Sequence, residues 1–344
     1  MVAEDRALEF EPARLDAYLR AHIPGLAGPL RLARIAGGQS NPTFFVTTDT
    51  HRLVLRKQPP GTLLPSAHAV DREYRVVSGL RGSPVPVPDA LHFCHDRSVV
   101  GTPFYVMARL DGRVFHDCAL PGCAPAERRA IYRAMAETLA ALHAVDPAAH
   151  GLGDYGRPAG FYPRQVRRWS EQWRTVRTRE DPAIERLIAW LPGSIPEDPR
   201  GGIAHGDYRL GNLMVAPDAP RVAAVLDWEL STLGPPLSDL AHSCIAWHSA
   251  PDQYGGLLGL DLVALGIPSQ AEYEADYYAA LGRHGVAARP RLSRFHMAFA
   301  LFRWSMIFEG IAARAKNGTA SASDAGSVGG LAASFAARAA AFIA

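Results

Sequence analysis

The sequence predicts an α+β protein of two lobes, a β-rich amino-terminal one and a larger helical one. Three observations carry this. The chain has 344 residues, 48% hydrophobic and 20% charged, more than one ordinary core accommodates and unlike a disordered, collagen-like or coiled-coil chain. Short runs of β-type composition separated by turns fill residues 30–109. From Ala124 onward the apolar spacing becomes helical, interrupted by one hairpin. The lobes are placed at residues 1–107 and 108–344, with the crossover near residues 107–112.

In chain order, residues 5–22 form an amphipathic helix with Leu8, Leu15, Tyr18 and Leu19 on one side, stopped near Pro24 and Gly25. Strands follow at 30–36, 43–48 and 52–57, divided by a Gly37-Gly38 turn and a Thr-Asp-Thr turn. After Pro59-Pro60-Gly61, Ser66 is placed to cap a helix running to about Leu80. Strands at 85–94, entered through alternating prolines, and 102–109 complete the β-rich part. Helices are expected at 126–145, 164–179 and 184–191, a hairpin at 213–215 and 222–226 around Pro217-Asp218-Ala219-Pro220, and helices again from Leu237. Residues 316–330 are small and polar and read as a flexible linker before a last Ala-rich helix.

A formal net charge of +2 makes no global case for nucleic acid or an anionic membrane, so neither is expected as a partner. Only two of the 36 basic residues are lysines, Lys57 and Lys316, which restricts any mechanism that needs a lysine. Cys94, Cys118, Cys123 and Cys244 show neither a disulfide framework nor zinc spacing and read as reduced thiols. The first ten residues lack the basic-then-apolar order of a signal peptide. The apolar stretch 296–313 carries Arg303 and Glu309 and reads as a buried helix rather than a membrane span. A cytoplasmic location is the expectation.

Chemistry concentrates in His205-Gly206-Asp207-Tyr208-Arg209-Leu210-Gly211-Asn212, a carboxylate and an amide five residues apart in a loop entering a strand. A second carboxylate, Asp227, ends the returning strand. Hairpin strands lie side by side, so Asn212 and Asp227 are expected to converge, with Asp207 at the loop mouth. One Asp and one Asn offer oxygen-only ligation suited to Mg²⁺ that keeps several waters and bridges phosphates. Asp207 is then free to accept a proton from a hydroxyl. The bland alternative is an ordinary Gly/Asp/Asn turn.

These residues resemble the protein-kinase-like phosphotransferases, whose H-x-D-x-x-x-x-N loop and downstream Asp perform such roles. The His-Gly-Asp form with Asp227-Trp228-Glu229 is similar to the aminoglycoside phosphotransferase and choline kinase branch. The resemblance covers roughly residues 30–310 and implies a bilobal protein-kinase-like fold with ATP and Mg²⁺ as cofactors. It implies Asp207 as catalytic base, Asn212 and Asp227 as metal ligands, His205 as a brace of the loop and Asp239 as a structural residue at a helix start. Gly38, Ser40 and Asn41, in the turn between two strands, would meet the ATP phosphates. Arg56 falls where such kinases place the phosphate-pairing lysine, a departure that keeps the charge and adds a planar fork. Arg56 and Lys57 face opposite ways along a strand, and Arg56, on the face of Val54, is the cation assigned to phosphate. Glu73 lies on the apolar stripe through Val70, Tyr74, Val77 and Leu80, where a carboxylate is costly unless paired, which points to Arg56. The resemblance makes residues 104–112 a hinge, with Met107 behind the adenine and backbone groups of Ala108 and Leu110 on its edge.

The acceptor is less legible. Residues 157–186 hold eight arginines against four acids, which favours an anionic substrate or a solvated basic face over a polycationic aminoglycoside. The run from Val54 to Tyr74 resembles the kinase domain fused to acyl-CoA dehydrogenases in some animals and its stand-alone bacterial relatives. That implies a small-molecule hydroxyl substrate, a hydroxyacyl-CoA, and a separate acyl-CoA dehydrogenase-like protein as partner, with Trp169, Trp173, Arg303 and Trp304 as candidates for an acyl or adenine pocket or for plain core. The alternatives are an aminoglycoside or choline-type amino alcohol kinase and a non-catalytic nucleotide-binding scaffold. Glu229 is left between a second-metal or substrate contact and a helix-start charge.

Overall fold

The computed structural model describes residues 10–35, 41–61, 68–197, 201–286, 290–317 and 329–344. Leu8, Gly37, Gly38, Ser40, Ser66 and most of the expected linker lie outside the described residues. The chain divides into two compact units, Met1–Arg113 with Ala223–Ser231, and Val114–Val222 with Thr232–Ala344.

In the first unit an antiparallel sheet has the order β1-β2-β3-β5-β4, with β1 Arg31–Arg34, β2 Thr43–Thr47, β3 Arg52–Lys57, β4 Ala90–Cys94 and β5 Phe104–Ala108. Side chains alternate across the central strand. Leu53 and Leu55 join Phe44, Val46, Phe104 and Val106 in a core closed by Leu15 and Leu19 of helix α1, Pro12–His22. Val54 and Arg56, paired in register with Met107 and Tyr105, face the other way. There helix α2, Val70–Gly79, packs against β4 and β5. Lys57 is 1% exposed, on the Leu53 and Leu55 side, with Nζ 5.3 Å from the Phe10 ring centre, so the two cations are separated as the pleat requires.

Two expected strands are shorter. The run expected from residue 85 pairs only from Ala90, because Pro84, Pro86 and Pro88 have no N–H to give to a ladder. The proline stretch instead supplies an acceptor, Pro86 O, to Val225 N–H at 2.8 Å. The strand expected at 30–36 narrows to Arg31–Arg34, with Ile35 N–H still reaching Thr43 O at 2.9 Å.

The second unit is mainly helical. Helices Pro125–Ala144 and Gln270–Arg283 pack together, and Arg294–Lys316 packs on Leu331–Ala341 and on Phe161–Val176. The strands Leu213–Val215 and Val222–Val225, the latter mostly in the first unit, occur where the sequence placed them, with Ala216 N–H closing the intervening turn on Arg221 O. A further antiparallel pair, Gly202–Ala204 with Thr232–Gly234, was not expected; three residues are too few to show a period. It delivers the chain into His205 on one side and into helix Pro236–Ser243 on the other, setting that helix beside the loop.

No described helix is long and apolar enough to cross a membrane. The two charges within the apolar stretch 296–313 of helix Arg294–Lys316 are both engaged. Glu309 is fully buried and accepts Thr178 N–H at 2.5 Å, Thr178 Oγ1–H at 2.8 Å and Arg179, while Arg303 Nη1 donates to Gly206 O at 2.8 Å. The four cysteines are free thiols.

His296 in the same helix gives a pH prediction. Its Nδ1 accepts Ser293 N–H at 3.1 Å, and the ring lies against Tyr162 and Phe295, 2% exposed. Burial pushes its pKa down from 6.5 to about 4. The unfolded chain therefore takes a proton before the folded one does, and stability falls as pH drops from about 6.5, the loss being complete below about 4. The full loss is about 3 kcal/mol. Denaturant titrations at pH 7.5 and pH 4.5 should show His296→Gln losing roughly 2 kcal/mol less than the wild type between the two. An identical acid loss in both proteins would remove the assignment.

Candidate active site

The loop after strand Gly202–Ala204 is held from below by Asp239. This carboxylate, 1% exposed, accepts His205 N–H at 2.5 Å and Gly206 N–H at 2.9 Å. Burial alone would raise its pKa, but His143, His205 and the Gly206 N–H together hold it below the usual carboxylate range. Gly206 has φ +83°, a left-handed turn that glycine adopts without strain and that aims both N–H groups at one carboxyl. His205 is fully buried, and its Nδ1 accepts Asp207 N–H at 3.2 Å. The expected brace and helix-start anchor thus occupy the positions assigned to them.

Asp207 stands above this support. Asn212 Nδ2 donates to its Oδ2 at 2.7 Å and to its backbone O at 2.9 Å. Arg209 Nε reaches Oδ2 at 3.4 Å, and His242 Nε2 lies 2.9 Å from Oδ1. Burial works against the charge, but the His242 hydrogen bond and the positive potential of Arg209 and His205 prevail, holding the carboxyl well below its ordinary range. Asp207 is therefore anionic at neutral pH. With its amide hydrogens turned to Asp207, Asn212 keeps its carbonyl oxygen for another ligand. His242 was not singled out in the sequence, although it lies three residues after Asp239 on one helix, a spacing that puts both on one face.

In the first unit, Arg56 is the hub of three carboxylates. Its Nε is 2.7 Å from Glu73 Oε2, its Nη2 2.7 Å from Asp227 Oδ1 and 3.9 Å from Glu229 Oε2. Burial disfavours the guanidinium charge, but these neighbours more than offset it and raise its pKa further above the ordinary value. Glu73, 1% exposed, also accepts from Asn41 Nδ2 at 2.7 Å and from Tyr105 OH at 3.2 Å, a set of donors that fits the ionised carboxyl. Asn41 is 1% exposed and its oxygen meets His68 Nδ1 at 3.1 Å, so its side chain supports the Arg56–Glu73 pair from within. Asp227 has φ +63°, left-handed and strained for a residue with a side chain, at the position where its carboxylate meets Arg56. Met107 pairs with Val54, and Ala108 N–H is taken by Asp89 O at 2.8 Å. Gly38 and Ser40 fall outside the described residues.

Among the described residues no group of three or more His, Cys, Asp or Glu side chains could hold a metal. The donors on offer are the carbonyl oxygen of Asn212 in the second unit and the carboxylate of Asp227 in the first. Each is an oxygen donor of the kind a hard cation takes while keeping waters and phosphates in its shell.

Beside Asp207, within the second unit, is a cleft of about 40 Å³ lined by Arg209, His242, Trp304, Tyr254, His116 and Cys118 among others, with no Asp or Glu among its described lining residues. Trp304 belongs to it. Trp169 and Trp173 do not: both are buried, and Trp173 Nε1 donates to Glu185 at 2.7 Å. Arg303 serves the loop through Gly206 O. In the arginine-rich segment, Arg177 pairs with Glu180, Arg179 with Asp181 and Glu309, and Arg164 bonds backbone carbonyls. Arg167 and Arg174 line a separate groove of about 370 Å³ with Val166, Ile188 and Ile195.

The family model "phosphotransferase enzyme family" matches residues 31–267. Acyl-CoA dehydrogenase family member 10 of Mus musculus is 43% identical over 90% of this chain and 29% of its own length. Acyl-CoA dehydrogenase family member 11 of Homo sapiens is 39% identical over 92% of this chain and 41% of its own. The chain thus spans well under half of these longer relatives. A crystal structure from Ralstonia eutropha, described as a proposed aminoglycoside phosphotransferase, superposes with a TM-score of 0.88 and 44% identity, covering 97% of this chain and 98% of that one. A thermostable aminoglycoside phosphotransferase, determined with AMP-PNP and hygromycin B, shares the fold at a TM-score of 0.61 and 18% identity, covering 95% of this chain and 98% of that one.

Proposed function

Because the chain belongs to the phosphotransferase enzyme family, whose members include ATP-dependent phosphotransferases, we propose that it is a Mg·ATP-dependent O-kinase acting on a hydroxyacyl-CoA. The observation that carries the acceptor class is the cleft beside Asp207. Arg209 and two histidines line it and no carboxylate is among its described lining residues, an electrostatic fit for a neutral or anionic substrate and a poor one for a polycation. The names of the similar acyl-CoA dehydrogenase family members support that chemical class. The same names support a separate acyl-CoA dehydrogenase-like protein as the proposed partner.

In this reading Asp207, anionic and fixed in orientation, receives the proton of the acceptor hydroxyl as its oxygen attacks the γ-phosphorus. The bond from the γ-phosphorus to the β,γ-bridging oxygen breaks, and ADP leaves. Arg56, steered by Glu73, neutralises phosphate charge, and Asp227 and Glu229 set its resting orientation. The adenine edge is assigned to the carbonyl of Ala108 and the N–H of Leu110, since Ala108 N–H is committed to Asp89. Gly38 and Ser40 are assigned to the phosphates. Asn212 and Asp227 are the groups that would hold Mg²⁺, which supplies further charge neutralisation on the phosphates.

The test is ADP release from Mg·ATP with a hydroxyacyl-CoA, a kanamycin-class aminoglycoside and choline in parallel. Turnover confined to the hydroxyacyl-CoA is expected. Turnover confined to the drug or to choline would replace the acceptor class, and none above the rate with water alone would favour a nucleotide-binding scaffold.

Arg56 offers a further check. Arg56→Ala should raise KM for ATP by about tenfold or more and leave Glu73 buried without its cation, lowering the melting temperature. Arg56→Lys should recover the charge but not both contacts, giving intermediate values in the same assay and melting curve.

A further inference from the structure

We propose that His242, held as its Nε2–H tautomer by Trp304, is a positioning residue that fixes the plane of the Asp207 carboxylate for phosphotransfer. The indole Nε1 of Trp304 lies 3.3 Å from His242 Nδ1, and an indole nitrogen can only donate. Nδ1 must therefore accept, and the ring proton sits on Nε2, 2.9 Å from Asp207 Oδ1.

The ring has little freedom to do otherwise. It is 4% exposed, and its centroid is 5.6 Å from the Trp304 ring. Burial pushes its pKa down against the pull of Asp207, and Arg303 adds to the downward push, so the imidazole is a neutral donor. Asp207 is then gripped at both oxygens, Oδ1 by His242 and Oδ2 by Asn212 and Arg209. A carboxylate held at one oxygen alone can turn about its Cβ–Cγ bond, whereas two grips fix its plane. His242 and Trp304 also line the cleft beside Asp207, so the same pair shapes the space for the acceptor.

The inference rests on the phosphotransfer reading, and its test separates the two. The kinetic probe is Mg·ATP with water as acceptor, which does not depend on the identity of the alcohol. His242→Phe should lower kcat about 100-fold with KM for ATP within about twofold, because a misplaced base costs rate and not nucleotide affinity. His242→Gln, which can still donate toward Asp207, should recover to within about fivefold of the wild type, and Trp304→Phe should fall about tenfold. In ¹⁵N-labelled protein the His242 ring should show a pyrrole-type Nε2 and a pyridine-type Nδ1, a pattern that mixes in Trp304→Phe. A His242→Phe enzyme as fast as the wild type, or a folded His242→Gln as slow as His242→Phe, would overturn the positioning role. A pyridine-type Nε2 in the wild type would overturn the tautomer assignment with or without turnover. If His242→Phe fails to fold, the Gln variant, Trp304→Phe and the nitrogen shifts decide. A wild type that never releases ADP from Mg·ATP would instead remove the phosphotransfer reading, and the positioning role with it.

Discussion

Asp207→Asn is expected to reduce phosphotransfer by three to four orders of magnitude, about 10³ to 10⁴-fold, while ATP affinity changes by less than about threefold. The substitution keeps size and shape but removes the charge and the ability to receive a proton. It also has a structural consequence that can be worked out in advance. Both oxygens of Asp207 accept, Oδ1 from His242 and Oδ2 from Asn212. An asparagine must present an NH₂ to one of these donors. His242 cannot relieve the conflict by changing tautomer, because Trp304 donates to its other nitrogen. The cost is about 1–3 kcal/mol, confined to the loop. Turnover of the Asn variant should be compared with that of Asp207→Ala, which removes the conflict along with the base. Loss in both with ATP binding retained supports the base. Phosphotransfer near the wild-type rate in either would remove it.

The residues that could be read from the sequence are those whose role is local or periodic. Strand Arg52–Lys57 was expected within its observed bounds, because a run of apolar residues between turn signals is distinctive and pairing then fixes which side Arg56 faces. Glu73 was found because a carboxylate on an apolar helical stripe demands a cation. Asp207 and Asn212 are five residues apart in one loop, so their contact needs no long-range information. His242 depended on knowing that helix Pro236–Ser243 lies beside the loop, which follows from a three-residue strand pair linking residues 202–204 to 232–234. The tryptophans show the opposite limit: spacing alone could not separate Trp173, buried against Glu185, from Trp304 at the cleft. Asn41, read as a phosphate donor because it sits in a turn, is instead 1% exposed with its side-chain amide committed to Glu73.

Charge follows the same division. A net charge of +2 describes neither unit's site. With lysine nearly absent, the cation beside Glu73 is an arginine, and its fork meets Glu73 through one nitrogen and Asp227 through another, contacts a single ammonium could not make in the same geometry. Three of the eight arginines in segment 157–186 are spent on local pairs and carbonyls, which makes its excess weaker evidence for an anionic substrate than the cleft beside Asp207, with no Asp or Glu among its described lining residues.

The second large effect is expected at Asp239, which touches no reactant in the proposed reaction. Asp239→Ala leaves the His205 and Gly206 N–H groups without their acceptor and removes the carboxylate that lies 3.6 Å from His143 Nε2. All of this is buried, so water cannot replace the lost contacts cheaply, and breaking a buried charged network by removing one member costs about 3–5 kcal/mol. The melting temperature of the second unit should fall by roughly 10 °C. Because the lost contacts hold the residues on which Asp207 stands, kcat should fall as well, even at temperatures where the protein remains folded. Asp239→Asn discriminates between lost charge and lost shape: its oxygen can keep one N–H but its NH₂ meets the other, so it should recover part of the stability and little of the rate. Thermal melts and initial rates at 15 °C on the same samples test both parts. An Asp239→Ala protein that melts within about 2 °C of the wild type would show that the loop is held by other means.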